Sequence, residues 1–182
     1  IILTFNSQSS YSQSSWYWQA PVPTGNQFYC VKLVNAQTGY AAGVLGTIVK
    51  TTDGGLNWVV LNTNSMATFR SIDYADENII VAGSDSGYIV RTTNAGLTWT
   101  KQTIAGSTTK LRGIDFVNNT PVGYIASENG FVYKTTNTGI SWTQINPGTI
   151  NPLLSVSFID SLNGMVGAVG IVLKTTNGGV NW

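Results

Sequence analysis

The sequence predicts an all-β fold, and within that class a β-propeller built from four-stranded antiparallel blades. A short phrase occurs four times, as TTDGGLNW, TTNAGLTW, TTNTGISW and TTNGGVNW, and its copies end at Trp58, Trp99, Trp142 and Trp182. These tryptophans are 41, 43 and 40 residues apart, a spacing typical of propeller blades. The composition agrees, because only 9% of the residues are charged and 20 are glycine, as expected for short strands joined by tight turns.

Each copy is expected to form four strands in the same order. The first strand starts with a hydrophobic residue and is rich in β-branched or aromatic residues; it is predicted over residues 28–34, 69–75, 111–117 and 153–159. The second strand contains small residues and starts at Gly39, Ile79, Gly123 and Gly164. The third strand is predicted over residues 47–50, 88–91, 131–134 and 171–174, and a fourth begins around each closing tryptophan.

Two segments are predicted along the chain. Residues 1–15 form either a polar N-terminal arm or the remnant of a secretory signal whose beginning is missing, and residues 16–182 form the blades. Trp16 begins the same Trp-x-x-Gln pattern as Trp99, which predicts that the chain starts on a fourth strand and stops before its last one. The architecture is then either a ring of four blades closed by the N-terminal strand or an incomplete propeller. We expect the second, an open arc of about four blades.

Composition excludes several classes of function. The chain has no histidine and one cysteine, Cys30, so it has no Cys/His catalytic pair, histidine base or His-containing zinc site. No cofactor or metal is expected. A net charge of +1 spread along the chain offers no basic stripe for nucleic acid. No apolar run approaches the roughly 20 residues that a membrane-spanning helix needs, so we expect neither a nucleic-acid partner nor a membrane span.

The repeated phrase has a structural explanation in each copy. Its third residue, aspartate or asparagine, can accept hydrogen bonds from backbone N–H groups about two residues further on and close a turn. A glycine two residues later supplies an unusual backbone dihedral, and the tryptophan packs against the sheet. We therefore assign a structural role to these three residues of each copy, and we call the repeated phrase the box. They are Asp53, Gly55, Trp58, Asn94, Gly96, Trp99, Asn137, Gly139, Trp142, Asn177, Gly179 and Trp182.

The phrase resembles the Asp-box, or BNR repeat, of sialidase-type propellers. The first copy has the full pattern, and asparagine replaces the aspartate in the other three. The longer pattern, with Leu111, Arg112, Ile114 and Phe116 in the preceding strand, most resembles the photosystem II stability/assembly factor family and its bacterial relatives over residues 16–182. That resemblance implies a non-enzymatic propeller, secreted, periplasmic or on the cell surface, that binds and helps assemble other proteins.

Two copies carry a pattern that suggests a binding site. Arg70 and Arg112 are the second residues of their first strands, and the same two copies place Asp85 and Glu128 in the turn before the third strand. That turn and the start of the first strand lie at the same end of a four-stranded blade. We therefore expect each arginine to pair with its own blade's carboxylate, and the pairs to present a charged patch to a protein partner at one mouth of the propeller.

An enzymatic alternative is left open by the resemblance to xyloglucan-cleaving and sialidase-type propellers. Glycosidases need paired carboxylates, and the best candidates are Asp73 and Asp115, which occupy equivalent positions in two copies. Inheritance of a repeated position is the simpler explanation. A second repeated position, occupied by Lys50, Arg91, Lys134 and Lys174, is also interpreted as structural.

A carbohydrate-binding or adhesion module is the other alternative. Trp16 and Trp18, with Tyr17 between them, form an aromatic cluster outside the regular repeat. Such a cluster is either an outer strand or an exposed platform on which sugars stack, so a polysaccharide is a possible second partner.

Overall fold

The computed structural model describes residues 24–104, 107 and 109–182. Within them all regular secondary structure is β. Residues 1–15, Trp16 and Trp18 lie outside the described residues. The strands of the first two blades are β1 (Phe28–Leu33), β2 (Gly39–Gly43), β3 (Ile48–Thr51), β4 (Val59–Leu61), β5 (Phe69–Tyr74), β6 (Ile80–Ser84), β7 (Tyr88–Thr92) and β8 (Thr100–Thr103). Those of the third and fourth are β9 (Leu111–Phe116), β10 (Gly123–Ser127), β11 (Val132–Thr135), β12 (Thr143–Ile145), β13 (Leu153–Phe158), β14 (Gly164–Ala168) and β15 (Ile171–Thr175).

The strands form four separate antiparallel sheets, each taken from one repeat. Blades 1, 2 and 3 are four-stranded, in the orders β1-β2-β3-β4, β5-β6-β7-β8 and β9-β10-β11-β12, and the described part of blade 4 is β13-β14-β15. The first strands of successive blades contact one another, so they are innermost and the fourth strands lie at the rim. The predicted open propeller of about four blades is confirmed. The fourth strands of blades 1, 2 and 3 each begin one residue after the tryptophan rather than at it.

The box turn has the same hydrogen bonds in all four blades. In blade 1 the Thr51 hydroxyl donates to Asp53 Oδ1 at 2.8 Å and accepts from the Gly55 N–H at 2.8 Å, while Asp53 Oδ1 accepts from the Asn57 N–H at 2.8 Å. The bonds from Asn57, followed by that from Thr51, lower the pKa of Asp53. Asparagine makes the same bonds in blade 2, where Asn94 accepts from the threonine hydroxyl and from the N–H four residues on.

The sequence interpretation of this turn was wrong in one detail. The aspartate or asparagine accepts a backbone N–H four residues further on, not two, and the threonine two residues earlier closes the rest of the turn. The glycine at the fifth position has φ between 84° and 93° in the four copies, a left-handed conformation that a side chain disfavours.

The repeated basic position joins each blade to the next. Lys50 donates to the Ala95 carbonyl of the following box at 3.0 Å, and Lys134 donates to the equivalent carbonyl of Gly178 at 2.9 Å. Arg91 likewise donates to the Thr138 carbonyl at 2.8 Å. The predicted structural role of this position is confirmed for these three residues. In each case a charged side chain donates a hydrogen bond to a backbone carbonyl in the repeated turn of the next blade.

Apolar side chains fill the space between successive sheets. Between blades 3 and 4, for example, the rings of Tyr124 and Phe158 stack with centroids 3.5 Å apart, and Trp182 meets Phe158 edge-on. A glycine opens the second strand beneath this ring, because a Cβ at Gly164 would lie 2.4 Å from Phe158. The core is therefore a series of layers between blades, and each blade depends on its neighbours for burial.

Asp73 and Asp115, the enzymatic candidates, link adjacent first strands. Asp73 Oδ2 accepts from the Phe116 N–H at 2.7 Å, and its Oδ1 lies 2.8 Å from Lys32 Nζ of the preceding blade. Asp115 Oδ2 accepts in the same way from the Phe158 N–H at 2.6 Å. Burial raises the pKa of Asp115 despite that bond. Both carboxylates are thus engaged by neighbouring blades.

Candidate functional site

A β-bulge in every blade defines the position at which the two arginines stand. In blade 2, Phe69 pairs with Ser84 and Ser71 pairs with Gly83, so Arg70 has no cross-strand partner. In blade 3, Arg112 likewise has no cross-strand partner, because its neighbours Leu111 and Gly113 pair with consecutive residues of β10. A bulge bends its strand and re-aims the side chain of the extra residue, so each bulge directs one side chain to the mouth where the first strands begin. The bulged residues are Tyr29, Arg70, Arg112 and Leu154.

The turn between the second and third strands meets this bulge, as the sequence predicted. The Asp85 N–H donates to the Thr68 carbonyl at 2.9 Å, and the Glu128 N–H donates to the Lys110 carbonyl at 3.0 Å. These backbone bonds fix each turn beside the start of its own first strand. The acid and the arginine of each blade are therefore held at the same end.

In blade 3 the predicted ion pair is tight. The Arg112 guanidinium binds Glu128 Oε1 through two nitrogens, with Nε at 2.8 Å, and Lys110 Nζ lies 3.4 Å from Oε2 of the same carboxylate. Burial acts to raise the pKa of Glu128, but the hydrogen bond and charge of Arg112, with those of Lys110, outweigh it and lower the pKa below its ordinary 4.5. Glu128 is thus a fixed anion between two cations.

In blade 2 the pair is loose. Arg70 is 3.9 Å from Asp85, and its guanidinium lies over the Tyr29 ring at 4.1 Å. Among the described residues Arg70 Nε has no hydrogen-bond partner although it is buried. The Arg70 side chain as a whole is 22% exposed. Arg70 thus lies over an aromatic ring in a cation–π contact, is only loosely paired with Asp85, and remains partly exposed at the mouth.

These side chains form two groups at the same end of neighbouring blades, and we call the two groups together the arginine cluster. It consists of Tyr29, Arg70, Asp85, Lys110, Arg112 and Glu128. Three cations and two anions give it one net positive charge. The sequence predicted the two arginines and two acids, but it did not predict the contributions of Tyr29 and Lys110, because neither follows the pattern shared by blades 2 and 3.

The pH dependence of stability should report the Glu128 pair. We expect Glu128→Gln to destabilise the protein by about 1 kcal/mol near neutral pH, as for partly exposed ion pairs. The folded pKa of Glu128 is depressed, so the stabilisation is complete above the ordinary value of 4.5 and is lost as the pH falls through the folded value. Denaturant unfolding of both proteins at several pH values should show the difference shrinking in acid.

The control is Glu77→Gln. Glu77 is exposed in a turn and has no ion pair among the described residues, so its replacement should change stability little at any pH. A stability loss in Glu128→Gln that stays constant down to acid pH would contradict the assignment of Glu128 as a paired anion.

The opposite mouth carries a different surface, which sequence reasoning missed. An open cavity of about 680 Å³ lies where the first strands end, and its lining includes Asp76, Glu77, Asn118, Asn119 and Thr138. Asp76 is already used locally, since its Oδ1 accepts from the N–H groups of the two residues that close its turn. The arginine cluster has a net positive charge, whereas the lining of this cavity includes acidic and amide side chains.

Two further structural properties concern the same described residues. None of them belongs to a helix long and apolar enough to cross a membrane. They also contain no cluster of three or more acidic, cysteine or histidine side chains placed to hold a metal ion.

Solved structures support the fold. An ancestral GH74 enzyme is 22% identical, with a TM-score of 0.72 over 93% of this chain and 25% of that one. YCF48 bound to D1 peptide is 19% identical, with a TM-score of 0.66 over 85% and 56% of the two chains. YCF48 from Cyanidioschyzon merolae is 13% identical, with a TM-score of 0.63 over 90% and 59%. At these identities the likeness concerns the fold alone, and the chain spans a quarter to three fifths of these proteins.

Sequence comparison is more specific. No curated protein matches the chain. However, residues 8–151, most of the chain, match the family model described as photosynthesis system II assembly factor YCF48. The match covers the first three boxes, including their closing tryptophans, and both arginines of the arginine cluster. The chain therefore belongs to the photosynthesis system II assembly factor YCF48 family.

Proposed function

We propose that this chain is a non-enzymatic propeller scaffold that binds a protein partner through the arginine cluster. The observation that carries the proposal is that β-bulges on adjacent blades place Arg70 and Arg112 at equivalent positions of the same mouth. Residues presented by a rigid scaffold in this way commonly serve binding. We further propose, from the family resemblance and the low content of charged residues, that the protein is secreted, periplasmic or on the cell surface.

The chemistry of the cluster favours a peptide segment that carries a carboxylate or exposed carbonyl groups. Arg70 offers guanidinium donors beside an aromatic ring, an arrangement enriched at protein interfaces. Arg112 is held rigidly by Glu128, so less side-chain entropy is lost on binding. The structure of YCF48 bound to D1 peptide shows that a related propeller takes a peptide, and this supports peptide binding here.

Enzymatic activity is the alternative, favoured only by the similarity to a GH74 enzyme. Against it, Asp73 and Asp115 bind backbone N–H groups of the next blade, and Asp53 closes a box turn. We expect no release of sugar from xyloglucan or sialylated glycans by the purified chain. Measurable turnover that is lost in Asp73→Asn or Asp115→Asn would favour the enzymatic alternative.

The partner-binding proposal can be tested by photo-cross-linking. A photo-reactive amino acid at position 154, the bulge position of blade 4, would lie beside the arginine cluster without replacing any of its members. In a native extract we expect it to cross-link a specific protein. The yield should fall at least tenfold in the Arg70→Glu/Arg112→Glu variant, since removing an arginine that acts as an interface hot spot costs about 2 kcal/mol or more.

Lys101→Glu provides the matched control, because it also reverses a positive charge but on the outer strand β8, where Lys101 lies over the Tyr88 ring. Its cross-linking yield should remain within about twofold of the parent chain. A yield insensitive to reversal of both arginines, in a variant that remains folded, would refute binding through this cluster.

A further inference from the structure

The mouth that carries the arginine cluster also exposes apolar side chains on both sides of blades 2 and 3. Met66 is 76% exposed and Ile150 is 94% exposed. Each lies three residues before a first strand, Met66 before β5 and Ile150 before β13, so the two positions are equivalent. Both loops lie between two described blades. A lone exposed apolar residue is ordinary in a soluble protein, but these two recur on either side of the arginines.

Backbone contacts place Ile150 next to the turn that carries Glu128. A Cβ at Gly130, two residues after Glu128, would lie 3.3 Å from the Ile150 Cα. On the other side of the loop, the Pro152 carbonyl accepts an N–H from the corresponding turn of blade 4 at 3.0 Å. The Ile150 loop thus lies between the turn of the tight ion pair in blade 3 and the turn of blade 4.

The loop that contains Met66 is placed in the same way between blades 1 and 2. The Gly46 N–H donates to the Ala67 carbonyl at 2.8 Å, and the Asp85 N–H donates to the Thr68 carbonyl at 2.9 Å. The loop therefore joins the turn of blade 1 to the turn that carries the acid of blade 2.

Leu45 adds a second apolar side chain beside the Met66 loop. It lies in the turn of blade 1 that this loop contacts, and it is 56% exposed. Its φ is 54°, a left-handed conformation that is uncommon for a bulky residue and that glycine or asparagine adopts more readily. Neither burial nor backbone preference accounts for a leucine at this position, whereas contact with a partner would.

The positions of the arginines and acids are occupied by apolar or aromatic residues in the blades on either side. Tyr29 and Leu154 take the bulge position of the arginines in blades 1 and 4. Val44 and Val169 take the position of the acids, since their N–H groups make the same backbone bond to the residue before the first strand. Charged pairs in blades 2 and 3 are thus flanked by uncharged pairs in blades 1 and 4.

We infer that the partner of the arginine cluster is a peptide segment in which acidic residues are flanked on both sides by apolar side chains. This inference rests on the proposed function and specifies the ligand of that same site. The acidic residues pair with Arg70 and Arg112. The apolar side chains contact Leu45 and Met66 on one side and Ile150 on the other, so one segment both meets the net positive charge and covers the exposed apolar groups.

Strand geometry gives the spacing that such a segment should have. Neighbouring sheets pack about 10 Å apart, so the Met66 and Ile150 loops, which are two blade intervals apart, are separated by about 20 Å. An extended chain advances about 3.3 Å per residue and directs alternate side chains to one face. A segment of the form Leu-x-Glu-x-Glu-x-Leu therefore spans this distance with its leucines and glutamates on the same face.

An anionic membrane surface fits this mouth less well than such a peptide. The carboxylates of Asp85 and Glu128 lie beside the arginines and reduce the cluster to one net positive charge. A surface of lipid phosphates would meet these two anions as well as the cations, whereas a peptide can place its acidic side chains at the arginines alone.

The binding of two peptides tests the inference. The probe is a fluorescein-labelled peptide, blocked at both ends, with the sequence Leu-Ser-Glu-Ser-Glu-Ser-Leu, and its counterpart has serine in place of both leucines. Fluorescence anisotropy with the 182-residue chain should show at least tenfold tighter binding of the leucine peptide, because burial of its two apolar side chains is favourable. The preference should disappear in Met66→Ser/Ile150→Ser, whose folding is checked by circular dichroism.

Leu97→Ser/Ile140→Ser is the matched control. These side chains are also apolar, and they are 83% and 63% exposed, but they belong to the boxes of blades 2 and 3, which lie at the opposite end of the blades. This variant should retain the full preference for the leucine peptide.

Equal binding of the two peptides, or a preference that survives Met66→Ser/Ile150→Ser, would overturn the inference. If Arg70→Glu/Arg112→Glu still abolishes binding of both peptides, the proposed function of the cluster stands without it. Binding of neither peptide, or of phosphatidylglycerol vesicles in their place, would also overturn the inference. The photo-cross-linking experiment then decides the proposed function by itself.

Discussion

Replacing Asp73 with alanine is expected to destabilise the protein by about 3 kcal/mol, because a buried polar network loses its central member. Asp73 is 2% exposed, and its carboxylate joins Lys32 of blade 1 to the Phe116 N–H of blade 3. Alanine leaves that N–H without its acceptor and removes the partner of the lysine. Urea or guanidinium unfolding followed by tryptophan fluorescence measures the loss.

Asp115→Ala is the matched comparison, because Asp115 accepts the equivalent N–H of Phe158 but has no salt bridge among the described residues. We expect it to cost about 1 to 2 kcal/mol, the value of one buried N–H left unpaired. The loss of stability in Asp73→Asn should be smaller than that in Asp73→Ala, since the amide oxygen can still accept the hydrogen bond from the Phe116 N–H. Equal losses in Asp73→Ala and Asp115→Ala would show that the Lys32 pair contributes nothing.

Replacing Leu111 with alanine should also destabilise the protein by about 3 kcal/mol, as for other fully buried leucines. Leu111 is 0% exposed and belongs to the apolar layer between blades 2 and 3, together with Val81, Ile89 and Ile125. The loss has two parts, the apolar area returned to water and the cavity left behind. Equilibrium unfolding in urea should show a lower midpoint with an unchanged slope.

Leu154→Ala is the control for this measurement. Leu154 also lies in a first strand, but at the bulge position, where it is 45% exposed. We expect a loss of less than about 1 kcal/mol. If the two replacements lowered the free energy of unfolding by the same amount, the layers between blades would not be the main source of apolar burial.

The arrangement of the blades could be predicted from the sequence because the information is repeated. Four copies of one phrase at near-constant spacing predict the strand order within each blade and the four blades present in this sequence. The box chemistry could be predicted only in part. Its residue types indicate a turn, but the hydrogen bond to the N–H four residues on depends on the left-handed backbone at the box glycines, and that geometry is not visible in a side-chain pattern.

The arginine cluster shows where such prediction ends. The shared pattern of Arg70, Asp85, Arg112 and Glu128 indicated two ion pairs, and the structure contains both. It could not indicate the β-bulges, because a bulge depends on strand register and leaves the composition of the strand unchanged. Nor could it indicate that Tyr29 of one blade supports Arg70 of the next, since that contact exists only once the blades are packed.

The contacts between blades could not be predicted either, because they too exist only once the blades are packed. The repeated position of Lys50, Arg91 and Lys134 indicates a structural role, but the sequence does not indicate the carbonyl that each side chain binds, because it lies more than 40 residues further along the chain. Asp73 and Asp115 were considered as a carboxylate pair, whereas each binds the backbone of the following blade. Sequence equivalence identifies such positions, and the three-dimensional packing of the repeats gives them their partners.

The most direct test of the account is the dissociation constant of the partner identified by cross-linking, measured with the parent chain and with Arg112→Glu. Binding through the arginine cluster predicts at least a tenfold weaker affinity, equivalent to about 1.4 kcal/mol, while Lys101→Glu remains close to the parent. Equal affinity of the parent and the folded Arg112→Glu variant would contradict the central claim that this mouth of the propeller binds the partner.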